Sequence, residues 1–221
     1  MENLNYVLLP QEYANINLSF KIVVIGDCGV GKSCLSLRAT KDTFQNYYQA
    51  TIAFEFFLFN ISINNINISL QIWDTCGQEK YQSIISSFYK NSSLSIVVYS
   101  IDNISSFNNI DSWVKDLKQI SNPNIKIFLI GNKNDLEDKR VISFDKGKQY
   151  ALDNNFALFY ETSAKTGFNA KNIFIDAAKV LYLEYLSFQN IKEINNNKDK
   201  NIILPKKKNK QDKERKKNGC C

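Results

Sequence analysis

Phe20-Lys21-Ile22-Val23-Val24-Ile25-Gly26-Asp27-Cys28-Gly29-Val30-Gly31-Lys32-Ser33 is the stretch on which the fold turns. Its first half is almost continuously apolar, as expected of a strand covered on both faces. Its second half matches G-x-x-x-x-G-K-[ST] at every fixed position and opens a helical pattern over residues 33–40. Glycines let successive backbone N–H groups curl around phosphate oxygens, and a helix N-terminus adds its positive end. Lys32 has the reach for β and γ phosphates, and the Ser33 hydroxyl suits Mg²⁺. A chance glycine-rich turn would require neither the strand before it nor the helix behind it.

Five further apolar, β-branched or aromatic runs follow, at residues 55–63, 66–73, 94–101, 125–130 and 157–161. Helical spacing occupies 105–120, 144–153 and 170–188 between and after them. Only Asn64-Asn65 separates the second run from the third, which predicts a hairpin. The remaining alternation demands right-handed helical crossovers between parallel strands. The expected fold is therefore α/β: a six-stranded, mainly parallel sheet with one antiparallel edge strand and helices on both faces. Residues 1–17 read as an N-terminal extension, 18–189 as the domain, and 190–221 as a flexible basic tail that buries too little apolar surface to order itself.

Asn132-Lys133-Asn134-Asp135 follows the 125–130 run, at the carboxyl edge where ligands sit in such sheets. Asp135 can accept from both N1–H and the N2 amino group of guanine. Adenine lacks that donor pair, and a buried carboxylate without donors is costly. Alone, N-K-x-D is a polar loop; with the phosphate loop upstream on another strand it selects a base. Glu161-Thr162-Ser163-Ala164-Lys165 ends the last run and offers backbone N–H groups for the guanine O6.

Composition narrows the chemistry. The 221 residues contain no histidine, which removes imidazole acid–base catalysis, Ser-His-Asp and Cys-His nucleophiles and His-containing zinc sites. Five cysteines, three scattered (Cys28, Cys34, Cys76) and two adjacent (Cys220, Cys221), with no C-x2-C pair, do not make a disulfide framework and suit a protein kept in the cytosol. The start of the chain lacks the pattern of a signal peptide, and Glu2 does not permit N-myristoylation. Net charge is +6, yet residues 192–221 hold eleven Lys/Arg against four Asp/Glu. The body is thus close to neutral and offers no footprint for nucleic acid.

These motifs resemble the Ras-like small GTPases and, within them, the Rab family, over roughly residues 18–187. Trp73-Asp74-Thr75-Cys76-Gly77-Gln78-Glu79 is similar to the family's W-D-T-A-G-Q-E segment. Tyr48-Gln49-Ala50-Thr51-Ile52-Ala53-Phe54-Glu55-Phe56 resembles its first switch and the strand after it. The likeness implies the small-GTPase fold, bound GTP or GDP, and Mg²⁺ held by Ser33, Thr51 and Asp74. It implies nucleotide contacts from Cys28, Gly29, Val30, Gly31, Lys32, Ser33, Cys34, Phe44, Tyr48, Thr51, Gly77, Asn132, Lys133, Asp135, Ser163, Ala164 and Lys165. Phe44 would cover the guanine edge, and Gln78 would orient the attacking water without acting as a base. No arginine lies between Phe44 and Thr51, so hydrolysis is expected to be slow and to be accelerated in trans. Cys28, Ala53, Cys76, Lys80, Tyr81 and Phe88 depart from the usual residues without removing a ligand. Phe56, Trp73 and Phe88 match an aromatic triad that Rabs show to effectors, although simple core packing is the reading the sequence alone favours.

Cys220-Cys221 resembles the Rab ending that receives two geranylgeranyl groups with the help of an escort protein, and two chains anchor stably where one is marginal. The basic stretch before it adds attraction to an anionic leaflet. A flexible coil of about 30 residues averages roughly 30 Å, enough to hold the body off the membrane. The expected partners are effectors, an exchange factor, a GTPase-activating protein, the escort protein and a GDP-dissociation inhibitor. The likeness in residues 48–52, 70–73 and 161–169 leans toward the Golgi-associated Rab subgroup, on the cytoplasmic face of intracellular membranes with cycling through the cytosol. Two other readings stay open: a GTP-locked adaptor that barely hydrolyses, and a metabolite kinase, for which the body lacks a lid insertion.

Overall fold

Alternation along the 20–25 run assigns its side chains to two cores. Ile22 and Val24 join one buried cluster, and Val23 and Ile25 join the other, as a period of two requires. The computed structural model describes residues 4–44, 54–77 and 87–200, with side chains to residue 191. Its strands are β1 (Tyr6–Leu9), β2 (Leu18–Ile25), β3 (Phe54–Ile63), β4 (Ile66–Thr75), β5 (Leu94–Ser100), β6 (Lys126–Asn132) and β7 (Leu158–Glu161). Its helices include α1 (Lys32–Lys41), α2 (Ile104–Asn108), α3 (Ile110–Ile120), α4 (Phe144–Asp153) and α5 (Ala170–Lys200).

The strands form one sheet in the order β1-β3-β4-β2-β5-β6-β7. Pairings β2–β4, β2–β5, β5–β6 and β6–β7 are parallel. Strand β2 lies between β4 on one side and β5 on the other, and the connections after β2 and after β4 run to opposite sides of it, a switch point that opens a crevice at the carboxyl ends of the strands. The phosphate loop emerges there. Asn64 and Asn65, with φ of 49° and 64°, make the tight turn between β3 and β4 that the hairpin reading requires. One face packs Leu35 and Ala39 of α1 with Ile173, Phe174 and Ala177 of α5. The other packs Phe107 of α2, Trp113 and Leu117 of α3, and Ala151 of α4.

The sheet has seven strands rather than the expected six. The extra one, β1, pairs antiparallel with residues 60–63 of β3 and extends the antiparallel edge. Its four-residue length carries no periodic signal, and its hold comes from elsewhere. The buried Asn60 Nδ2 donates to the carbonyls of Pro10 (3.0 Å) and Gln11 (3.1 Å). Asn67 Nδ2 donates to Asn15 O at 2.9 Å, and the Asn17 and Asn67 backbones bond each other at 2.8 Å. Asn60→Ala is expected to lower stability by about 1–2 kcal/mol, because Gln11 O loses its donor and Pro10 O keeps only Tyr13 N–H at 3.2 Å. A urea midpoint equal to wild type would contradict this.

Two helices also differ from expectation. The helical stretch 105–120 divides at Asn109, where ψ is −5°. The Asn109 side-chain amide there donates to Asp27 in the phosphate loop. Helix α5 runs to Lys200, beyond the end of its apolar spacing at Phe188, since elongation adds one bond per residue without needing an apolar face. The stretch to Leu183 belongs to one compact unit, Met1–Leu183, and the rest to a second, Glu184–Cys221.

Candidate functional site

The loop between β2 and α1 is shaped by its glycines. Gly29 and Gly31 hold φ of 78° and 95°, which side-chain-bearing residues rarely adopt. A Cβ on Gly31 would come within 2.4 Å of Asn132 Nδ2, whereas one on Gly29 would meet nothing within 4 Å. One side of the loop is therefore packed and the other open. Val30 is buried beneath it, Cys28 is exposed, and Cys34 is half-buried, its thiol pKa pushed up chiefly by burial. Lys32 is buried and folds back across the loop, donating to Gly26 O and Asp27 O at 2.8 Å each. Burial pulls its pKa down, and nearby Asp74 opposes that pull.

Ser33 donates its hydroxyl to Asp74 Oδ2. Asp74 is fully buried at the end of β4, and its Oδ1 has no hydrogen-bond partner among the described residues. Burial raises its pKa to about 7. An orphaned, buried carboxylate oxygen beside a hydroxyl is a hard-oxygen donor set that fits a magnesium ion. Gly77 lies against the loop so closely that a Cβ would sit 2.3 Å from Cys28 N. Cys76 is buried in the cluster of Val23, Ile25 and Tyr89, so its sulfur is absorbed by the core.

The second motif is tied to the first. Asn132, at the end of β6, donates to Val30 O at 2.8 Å. Its Oδ1 accepts from Thr162 Oγ1 (3.1 Å) and from Ala164 N–H (3.3 Å). A single buried amide thus holds the phosphate loop and both base-side loops. Asp135 accepts from Ser163 Oγ at 2.5 Å, and Lys165 Nζ stands 3.9 Å from its other oxygen. Lys133 takes a left-handed φ of 65° with its ammonium 4.0 Å from Asp102. Phe44 packs, partly buried, at the margin of the core. The structure therefore brings Gly29, Val30, Lys32, Ser33, Asp74, Gly77, Asn132, Asp135, Ser163 and Ala164 to the carboxyl end of the sheet. Tyr48, Thr51, Gln78, Cys220 and Cys221 lie outside the described residues.

A family model for the Ras family matches residues 21–183. The chain belongs to the Ras family. It carries the domain of a small GTPase switch, and Ras-family proteins bind guanine nucleotide, hydrolyse GTP and work through regulators and effectors. In this Ras-family domain two supports escaped the sequence reading. Asp27, a variable position of the loop motif, accepts from Trp113 Nε1 (2.7 Å) and Asn109 Nδ2 (2.8 Å), which pins the phosphate loop to α3 and the residue that precedes it. Arg140 grips the buried Glu161 through Nη1 (2.6 Å) and Nη2 (2.8 Å). Glu161, then Glu137, hold the guanidinium pKa above its ordinary range. Neither pairing has a sequence signal, because each joins distant segments.

Of the aromatic triad, Trp73 and Phe88 are half-buried, Phe88 against the α3-side cluster, while Phe56 is exposed. Phe57, Phe59, Ile61 and Ile63 of β3 point into the α5-side cluster, so Phe54 and Phe56 turn to the other face. Phe56 is 46% exposed and Phe54 41%. Ring centres lie 5.3 Å apart for Phe56–Trp73, 5.2 Å for Trp73–Phe88 and 4.6 Å for Phe54–Phe88. Phe54 is a fourth member that the triad reading omitted.

Proposed function

We propose that this protein is a Rab-type switch: a membrane-anchored GTPase that recruits effectors in vesicle traffic on the cytoplasmic face of intracellular membranes. The observation that carries the nucleotide part is Asn132, which joins the phosphate loop to the loops flanking Asp135. In this reading Asp135 accepts from guanine, with Ser163, Ala164 and Lys165 framing O6. Lys32 turns its ammonium to the β and γ phosphates, and backbone N–H groups of residues 28–34 cradle them. Ser33 and Asp74, with Thr51 by resemblance, would hold Mg²⁺, which supplies positive charge against the phosphates. Gln78 positions the attacking water, and turnover without a partner is on the order of 10⁻⁴ to 10⁻³ per second, as in unaided Ras-type sites.

Loss of the γ-phosphate removes its contacts with Thr51 and Gly77, so the adjoining loops relax. The aromatic patch of exposed Phe54 and Phe56 backed by half-buried Trp73 and Phe88 adjoins this region and offers the large apolar anchors that interfaces favour. Effectors would dock there. An exchange factor and a GTPase-activating protein set the switch, and a GDP-dissociation inhibitor returns the protein to the cytosol. Cys220 and Cys221 receive two prenyl groups through an escort protein, at membranes that include the Golgi.

The membrane part is tested by tracking the full chain in cells. The Cys220→Ser/Cys221→Ser double variant is expected to move from the membrane fraction to the soluble fraction while keeping its bound nucleotide. Unchanged membrane association would overturn the anchoring proposal.

A further inference from the structure

We propose that Arg38 is a positioning residue that sets how long nucleotide stays bound, by bracing the base-side loop and Phe44 against the phosphate-loop helix. The inference rests on the guanine-nucleotide reading above. Arg38 sits in the last turn of α1, whose first turn carries Lys32 and Ser33. Its Nε donates to Ala164 O at 2.8 Å and its Nη2 to Lys165 O at 3.0 Å. Nη1 donates to Asp42 O at 3.0 Å and to Asp42 Oδ1 at 3.4 Å. The guanidinium carbon stands 6.0 Å from the centre of the Phe44 ring, within cation–π range. Both walls of the expected base site therefore rest on one side chain.

The residue type follows from the geometry. A planar fork with five donors can hold two successive carbonyls and a helix-end carbonyl at once, whereas a lysine is a single point charge. A trans peptide points its N–H opposite its C=O. Holding Ala164 O and Lys165 O therefore fixes the direction of the Lys165 and Thr166 N–H groups. Thr166 N–H donates to Ser163 Oγ at 3.1 Å, and that hydroxyl donates to Asp135. The brace thus runs from α1 through Arg38 to the carboxylate expected to read the base. Its outer end is closed by Asp42, which takes a left-handed φ of 55° and accepts from Lys171 of α5 at 3.3 Å. Arg38 lies outside both the phosphate-loop motif and N-K-x-D, and no motif reading assigns it a role.

The test measures release of a fluorescent GDP analogue from the full chain into excess GDP, for wild type, Arg38→Lys and Arg38→Met, in magnesium and in EDTA. Arg38→Met is expected to release about tenfold faster, the scale of a single lost charge-assisted hydrogen bond, with Arg38→Lys between it and wild type. The factor is expected to be the same in EDTA, because the brace acts on the base end. Unchanged release in a folded variant overturns the inference, and so does acceleration seen only in magnesium. A lower melting temperature of the nucleotide-saturated variant without faster release would assign Arg38 a merely structural role and also overturn it. If Arg38→Met does not fold, the Arg38→Lys rate decides, wild-type release counting against the proposal. Wild-type protein that holds no guanine nucleotide would overturn the underlying reading and this inference with it.

Discussion

Lys32→Ala is expected to weaken nucleotide binding by about 10²–10⁴-fold, the equivalent of two hydrogen bonds from a charged donor. The Lys32 ammonium is buried, and it donates to two carbonyls of the same loop, Gly26 O and Asp27 O at 2.8 Å. It therefore both holds the loop in its curl and stands ready to face phosphate. Alanine removes the charge and frees two carbonyls that point inward. Lys32→Met separates the effects, since it restores the stem but not the charge. Equilibrium titration with a fluorescent GDP analogue would read both variants. Affinity within about threefold of wild type for Lys32→Met would contradict the phosphate role.

Asp135→Asn is expected to lower affinity for guanine nucleotide by about 10²–10⁴-fold while leaving the loops intact. The amide oxygen of asparagine can still accept from Ser163 Oγ, which now bonds the Asp135 carboxylate at 2.5 Å. What it loses is the charge and one of two acceptors facing the guanine N1–H and N2 amino groups. Its new N–H₂ group would suit a base with a carbonyl at that edge, so xanthosine diphosphate should bind the variant better than GDP. A competition assay with both nucleotides measures the reversal. A variant that keeps its guanine preference would place base selection elsewhere.

The parts legible in the sequence were those whose chemistry is local. The phosphate loop needs Gly29, Gly31, Lys32 and Ser33 within a few residues, and the structure places them on the expected strand–helix junction. The hairpin at Asn64-Asn65 is equally local. What escaped depends on contacts between distant segments. Strand β1 is too short to announce itself and exists through its pairing with β3 and the Asn60 amide. Asp27 occupies a position that the loop motif leaves free, and its partners are Asn109 at the junction of α2 and α3 and Trp113 on α3. Asn60 and Asn67 belong to no motif, yet their amides tie residues 10–15 to the sheet. The exposure of Phe54 and Phe56 follows from which β3 face is covered, and periodicity gives alternation without naming the covered face.

The most direct measurement is to denature the full-length protein, purified from bacteria, and identify the released nucleotide by chromatography. GDP is the predicted result, and it would mean guanine selection together with a working, slow hydrolytic site. GTP would keep the base selection but favour a switch locked in its loaded state. An adenine nucleotide would contradict the reading of Asp135 and, with it, the guanine-nucleotide switch.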